Sequence, residues 1–156
     1  MTPSELLAQE AQLQLPAFDL DAAWQLGQQL HRLATAVQAP AMLEIHAYGR
    51  VAFSAALPGS SADNDDWVRR KRNTVLRFGH SSMYLGEYNR SKGREFETQP
   101  HIDARKYAAH GGSFPLRLSN GELIGALTLS GLPQWDDHRL VVEALQAWLA
   151  ADPTAP

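Results

Sequence analysis

Cysteine is absent from this chain of 156 residues, which removes disulfides, thiolate nucleophiles, zinc fingers and iron–sulfur clusters together. Long apolar runs are missing too. No stretch of about 18 apolar residues is available to cross a bilayer, so no membrane partner is expected. Met1 to Glu10 carries acids where an export signal needs a basic and then an apolar stretch, and a cytoplasmic location is the expectation. The six histidines show no HExxH or similar metal spacing, and the chain has no GxSxG, no Walker loop and no GxGxxG. Metal hydrolase, serine hydrolase, nucleoside-triphosphatase and Rossmann readings therefore lack support, and no metal is expected. A net charge of -3 and an isoelectric point near 6.0 fall short of the basic footprint of a dedicated nucleic-acid binder, so no nucleic acid is expected as partner.

What is present is a globular composition, 44% apolar and 20% charged. A chain of this size buries roughly 70% of the surface it exposes when unfolded, which supports one domain over residues 1–151. Two prolines in the last five residues mark 152–156 as a flexible tail. The small net charge conceals an asymmetry. Residues 69–94 hold eight basic side chains against the single acid Glu87, while the rest of the chain holds six basic and sixteen acidic ones.

Periodicity supplies the elements. Leu6 to Leu13 reads as a short helix, ended by the Leu15-Pro16 step. Asp19 is a good N-cap for a second helix, whose Ala23, Leu26, Gly27, Leu30, Leu33, Ala34 and Val37 recur on one face and which stops before Pro40. Met42 to Ala47 and Val51 to Ala55 alternate around Tyr48-Gly49-Arg50, as a β-hairpin does. A third helix starts near Asp63 or Asn64 and stops at Gly79. Ser113 to Leu118 and Leu123 to Ser130 flank the turn Asn120-Gly121, and Leu132-Pro133 opens a last helix to about Leu149. Between them, Ser81 to Tyr88 fits a short helix or an edge strand. Two separate hairpins joined by helices predict an antiparallel sheet with helices packed on it.

Three constellations can carry chemistry. At about 100° per residue, Lys71 falls in the middle of the apolar face shared by Trp67, Val68, Val75 and Phe78. An ammonium placed there must meet a carboxylate or carbonyls, or lose its charge more readily. It either snorkels to a sheet acid such as Glu44 or lines an anion pocket. Arg69, Asn73 and Arg77 point the other way and read as a solvated face, with Arg70 and Arg72 beside the stripe. In Tyr107-Ala-Ala-His110-Gly111-Gly112, paired glycines before a strand allow either a pocket lip or a tight lead-in turn. His138 heads the buried stripe of the last helix behind Asp136 and Asp137, as an oriented acid–base imidazole or as a core histidine.

Gly111-Gly112-Ser-Phe-Pro115-Leu, Gly121-Glu-Leu-Ile-Gly125-Ala-Leu-Thr-Leu-Ser130-Gly131-Leu-Pro133 and Asp137-His138 together resemble the haem-degrading domain family, the GlcG/HbpS-like group. Leu57-Pro-Gly, Asp63-Asn-Asp-Asp-Trp67, Lys71-Arg72-Asn73 and Tyr107-Ala-Ala-His110-Gly-Gly are similar to its short stand-alone branch, across Leu13 to Leu149. The resemblance implies an α+β, profilin-like fold of the type α-α-β-β-α-β-β-β-α. Its antiparallel sheet would be five-stranded and flanked by helices, with the fifth strand inside residues 80–105, and the protein a homo-oligomer. It also implies haem as a ligand to consider, with an axial group from His80, His101, His110 or Tyr107 and cations such as Lys71 or Arg72 at the propionates. The leading expectation is a module binding haem or another anionic small molecule around Lys71, Arg72, Tyr107, His110, Gly111, Gly112 and His138. A haem-degrading enzyme using His110 or His138, and an oligomeric adaptor using the arginines of 69–94, are the alternatives.

Overall fold

A computed structural model describes residues 1–151; the expected tail, 152–156, lies outside the described residues. Helices α1 (Pro3–Gln12) and α2 (Leu20–Ala36) come first, then strands β1 (Met42–Ala47) and β2 (Arg50–Ala56), then helix α3 (Ala62–Phe78). Helix α4 (Ser82–Ser91), a 3-10 turn (Phe96–Thr98), strands β3 (Ser113–Arg117) and β4 (Leu123–Ser130) and helix α5 (Gln134–Ala151) follow. Helices α1 to α4 start where a side chain bonds a backbone N–H at the first turn, whereas α5 opens on the Pro133 carbonyl. Thr2 and Glu5 cap reciprocally, Asp19 accepts from Ala22 N–H at 2.7 Å, and Ser61 forms a capping box with Asn64. Gly79 ends α3 in the left-handed region, with φ of 76°.

The strands form one antiparallel sheet in the order β2-β1-β4-β3. Alternation along β1 sends Leu43, Ile45 and Ala47 to the face covered by α2 and α5, where most of the apolar core lies. The opposite face is covered by α3 and is unusually polar, carrying Glu44 and His46 of β1 with Thr128 and Ser130 of β4. Strand β4 is buried along nearly its whole length because it is covered on both faces.

Four strands are present among the described residues, and the expected fifth is not. Residues 82–91 are helical, since Ser81 caps Tyr84 N–H at 3.1 Å and Ser82, Met83, Leu85, Gly86 and Asn89 are buried at helical spacing. No further strand pairs with the outer edge of β3 among the described residues: Ser82 Oγ bonds the Ser113 backbone there, and just past the strand Leu118 makes a one-residue parallel bridge with Leu15. The arginines expected on a wet face are also placed differently. Residues 94–110 cross the outside of α3 and are tied there by Arg69 to the Arg105 carbonyl, Asn73 to that of Lys106 and Arg77 to that of His101. Arg77 also lies over the Phe78 and Tyr107 rings, 4.9 Å from each centroid. Leu85, Phe96, Ile102 and Ala109 make a second small core beneath this segment.

Candidate functional site

Lys71 faces the sheet from the inner side of α3 and is 3% exposed. Its Nζ donates to Asp137 Oδ2 at 3.1 Å and to the Leu129 carbonyl at 3.4 Å. Asp137, in the first turn of α5 and also buried, accepts in addition from Gly131 N–H at 3.3 Å and Leu132 N–H at 2.9 Å. One carboxylate thus closes the β4–α5 turn and fixes the lysine. Burial lowers the Lys71 pKa against the pull of Asp137, and burial raises that of Asp137 against the pull of Lys71. Gly112 makes the convergence possible. Its φ is 135°, and a methyl group there would sit 2.3 Å from the Leu129 carbonyl oxygen and 2.9 Å from Nζ.

The sequence pointed Lys71 to an acid such as Glu44, but that acid belongs to Arg72, whose Nη1 reaches Oε1 at 2.9 Å and Oε2 at 3.1 Å. Lys71 lies over β4, whereas Arg72, about 100° further round the helix, reaches β1. Burial raises the Glu44 pKa while Arg72 opposes it.

The Lys71–Asp137 pair floors a cavity of about 260 Å³. Its walls are the first turns of α3 (Asp63, Asn64) and α5 (Gln134), together with Trp67, His110 and Ser130–Leu132. Both amides in it have fixed senses. Gln134 Oε1 accepts from Gly111 N–H at 3.1 Å and Asn64 Oδ1 from Ser61 N–H at 2.8 Å, so each side chain keeps its NH2 as a donor. His110 Nε2 lies 3.3 Å from Glu97 Oε1 and its ring meets Trp67 edge-on, 5.2 Å between centroids. Burial pushes the Glu97 carboxyl up, but hydrogen bonds from His110 and Ala109 N–H outweigh it and hold the pKa at about 2. Trp67 is clamped from outside by Arg70, 4.0 Å from its ring centroid and bonded to Asp66 at 2.8 Å.

Of the residues expected to act together, Lys71 and His110 line this cavity, and Gly111 and Gly112 form the backbone behind it. Arg72 is on the sheet with Glu44, and Tyr107 packs against Arg77 over the small second core. His138 is also elsewhere. Asp137 turns to Lys71 and not to the imidazole, whose Nε2 meets Gln9 Oε1 of α1 at 2.7 Å and whose Nδ1 has no partner. Burial first, then the N-terminal ammonium, lowers the His138 pKa to about 4. Glu97 and Gln134 were not named from the sequence, and Asn64, Trp67 and Ser130 were named only as a helix start, a stripe residue and motif residues, with no part in a site. Only the helix-opening positions of Asn64 and Gln134 could have marked them.

A second hollow of about 400 Å³ lies between α2 and β2, walled by Trp24 and Phe53 and bordered by His31 and Arg32. The two rings pack edge-on at 5.6 Å, and Trp24 is 58% exposed. His31 uses Nδ1 towards Thr35 Oγ1 at 3.5 Å.

The chain is 49% identical over 141 residues to a UPF0303 protein of Psychromonas ingrahamii, a match covering 90% of this chain and 89% of the relative. The crystal structure of the Ybr137w protein superposes with a TM-score of 0.86 at 32% identity, over 94% of this chain and 87% of that one. The crystal structure of a PduOC:Heme complex shares the fold, with a TM-score of 0.71 at 20% identity, over 84% of this chain and 94% of that one. The family described as "Haem degrading protein HbpS-like" matches residues 18–146, and the chain belongs to that family.

Proposed function

We propose that the protein binds a small anionic molecule in the cavity floored by Lys71. The observation that carries this reading is the set of donors aimed at one small space. The ammonium of Lys71, the NH2 groups of Gln134 and Asn64 and the Ser130 hydroxyl meet where two helices begin. Helix N-termini favour anions, and Lys71, its charge balanced by Asp137 at 3.1 Å, adds a buried donor beside them. Asp63 at the rim disfavours heavily charged ligands and selects a monoanion. The volume lies below the 300–1,000 Å³ typical of drug-sized ligands, so the occupant is a small acid. Assembly into a homo-oligomer is part of the same reading, on family grounds.

Haem does not fit this cavity, which is too small and too polar for the macrocycle and whose His110 Nε2 is engaged by Glu97. The groove between α2 and β2 fits it better. His31 offers an imidazole whose Nε2 has no hydrogen bond among the described residues, Trp24 and Phe53 an aromatic wall, and Arg32 a cation for a propionate. Haem binding there is the second reading.

One experiment separates the two. Small carboxylates and inorganic phosphate are expected to raise Tm, by about 2.7 kcal/mol of stability at a hundredfold excess over Kd, or roughly 5–10 °C. Gln134→Ala should reduce that shift. Haemin should give a Soret change that His31→Ala removes and Gln134→Ala does not. No Tm shift with any small anion overturns the first reading; an unchanged Soret band on adding haemin overturns the second.

A further inference from the structure

We propose that Lys71 is a covalent carbonyl-capturing residue, condensing through Nζ with a small acid that also bears an aldehyde or ketone. The inference rests on the anion-binding reading of the same cavity and adds the chemical class of its occupant. A lysine that only tied α3 to α5 would need nothing beyond Asp137. Lys71 instead borders an open cavity whose other donors, Gln134 and Ser130, suit a carboxylate and leave the carbonyl carbon for the amine. Its nitrogen is held on two sides, by Asp137 Oδ2 at 3.1 Å and the Leu129 carbonyl at 3.4 Å, which fixes the direction from which it attacks. Gly112 carries no side chain to cover it.

The step balances without a co-reactant. Asp137 takes a proton from the ammonium, and the freed lone pair on Nζ adds to the carbonyl carbon while the C=O electron pair moves to oxygen. A proton shift from nitrogen to that oxygen gives the neutral carbinolamine. Asp137 then returns its proton to the hydroxyl, which departs as water as the nitrogen lone pair forms the C=N bond. Ammonium plus carbonyl has become iminium plus water, and the iminium keeps Asp137 as counter-ion. Burial acts in the same direction, since it favours the neutral amine on Lys71 and the neutral acid on Asp137.

The chain's three lysines make the test direct: Lys92 and Lys106 are exposed and serve as internal controls for buried Lys71. Wild-type protein is incubated at pH 7 with glyoxylate and cyanoborohydride, digested, and mapped by mass spectrometry, with Tm measured in parallel with glyoxylate alone. Lys71 should gain a carboxymethyl group about tenfold faster than either control lysine, because the carboxylate subsite holds the glyoxylate carbonyl against Nζ. Excess acetate, which occupies the carboxylate subsite but has no reactive carbonyl, should suppress labelling of Lys71 only. A glyoxylate-dependent rise in Tm with Lys71 labelled no faster than Lys92 and Lys106 overturns the covalent step and leaves anion binding standing. Absence of both the Tm rise and the Lys71 label overturns both.

Discussion

Asp137 shows how much one side chain can decide. It accepts two backbone N–H groups of the β4–α5 turn and the Lys71 ammonium, all out of water. Removing one partner of such a pair strands the other, at a cost of about 3–5 kcal/mol, whereas removing both costs less than the sum. Lys71→Met and Asp137→Asn should each destabilise by that order, and the double variant should recover part of it, as read from urea unfolding midpoints. Strictly additive losses would mean the two residues do not act as a pair. At this scale the sequence was partly legible. That Lys71 points inward follows from its place on the helical wheel, but its partner is 66 positions away and no spacing rule connects them. The assignment of Glu44 to Lys71 failed because neighbouring residues on α3 reach different strands.

Among the elements, β1 and β4 approach so closely that one position tolerates no side chain. A methyl group on Gly125 would lie 1.8 Å from the His46 carbonyl oxygen, a backbone atom that cannot move without parting the strands. Gly121, in the turn between β3 and β4, has open space around it and a φ of 94°. Gly121→Ala should therefore cost only the backbone strain, about 1–2 kcal/mol, and Gly125→Ala clearly more, with thermal unfolding of the two variants as the comparison. Equal losses would refute the close approach. The elements themselves were largely readable, because hydrophobic period and capping residues are local signals: β1 falls where alternation predicted it, β4 where its apolar run after the Asn120-Gly121 turn did, and β2 and the ends of α2, α3 and α5 lie within a few residues. Residues 80–105 were not. Helix α4 is short, its buried face mixes Ser82 and Asn89 with Met83 and Leu85, and what it packs against is distant in sequence. The outer arginines of α3 misled for the same reason, since the segment they hold lies 24–36 residues further along.

The molecule as a whole should be sensitive to acid in a defined window. His138 is buried between α5 and α1, with burial as the main cause of a folded-state pKa of about 4 against an ordinary value of 6.5. The unfolded chain binds the proton more tightly, so this contribution is complete above pH 6.5 and disappears as pH falls from 6.5 to 4. Its size is about 3 kcal/mol. His138→Gln, which keeps a polar partner for Gln9, should flatten the fall in unfolding free energy over that interval; an unchanged slope would refute the assignment. Glu97, held at about 2 by His110 and Ala109, adds a further loss below pH 4.5.

The sequence by itself determined the class of fold, the order of nearly all the elements, the exclusion of thiol chemistry and the inward aim of Lys71. Those depend on composition and on periodicities that neighbouring residues set. Only the tertiary structure decided that Lys71 meets Asp137, that His110 joins them while Arg72, Tyr107 and His138 do not, and that the sheet has four strands among the described residues. Each of those outcomes depends on which distant surfaces bury one another. A buried charge takes whichever partner the packing brings within about 3 Å, and packing is a property of the whole chain.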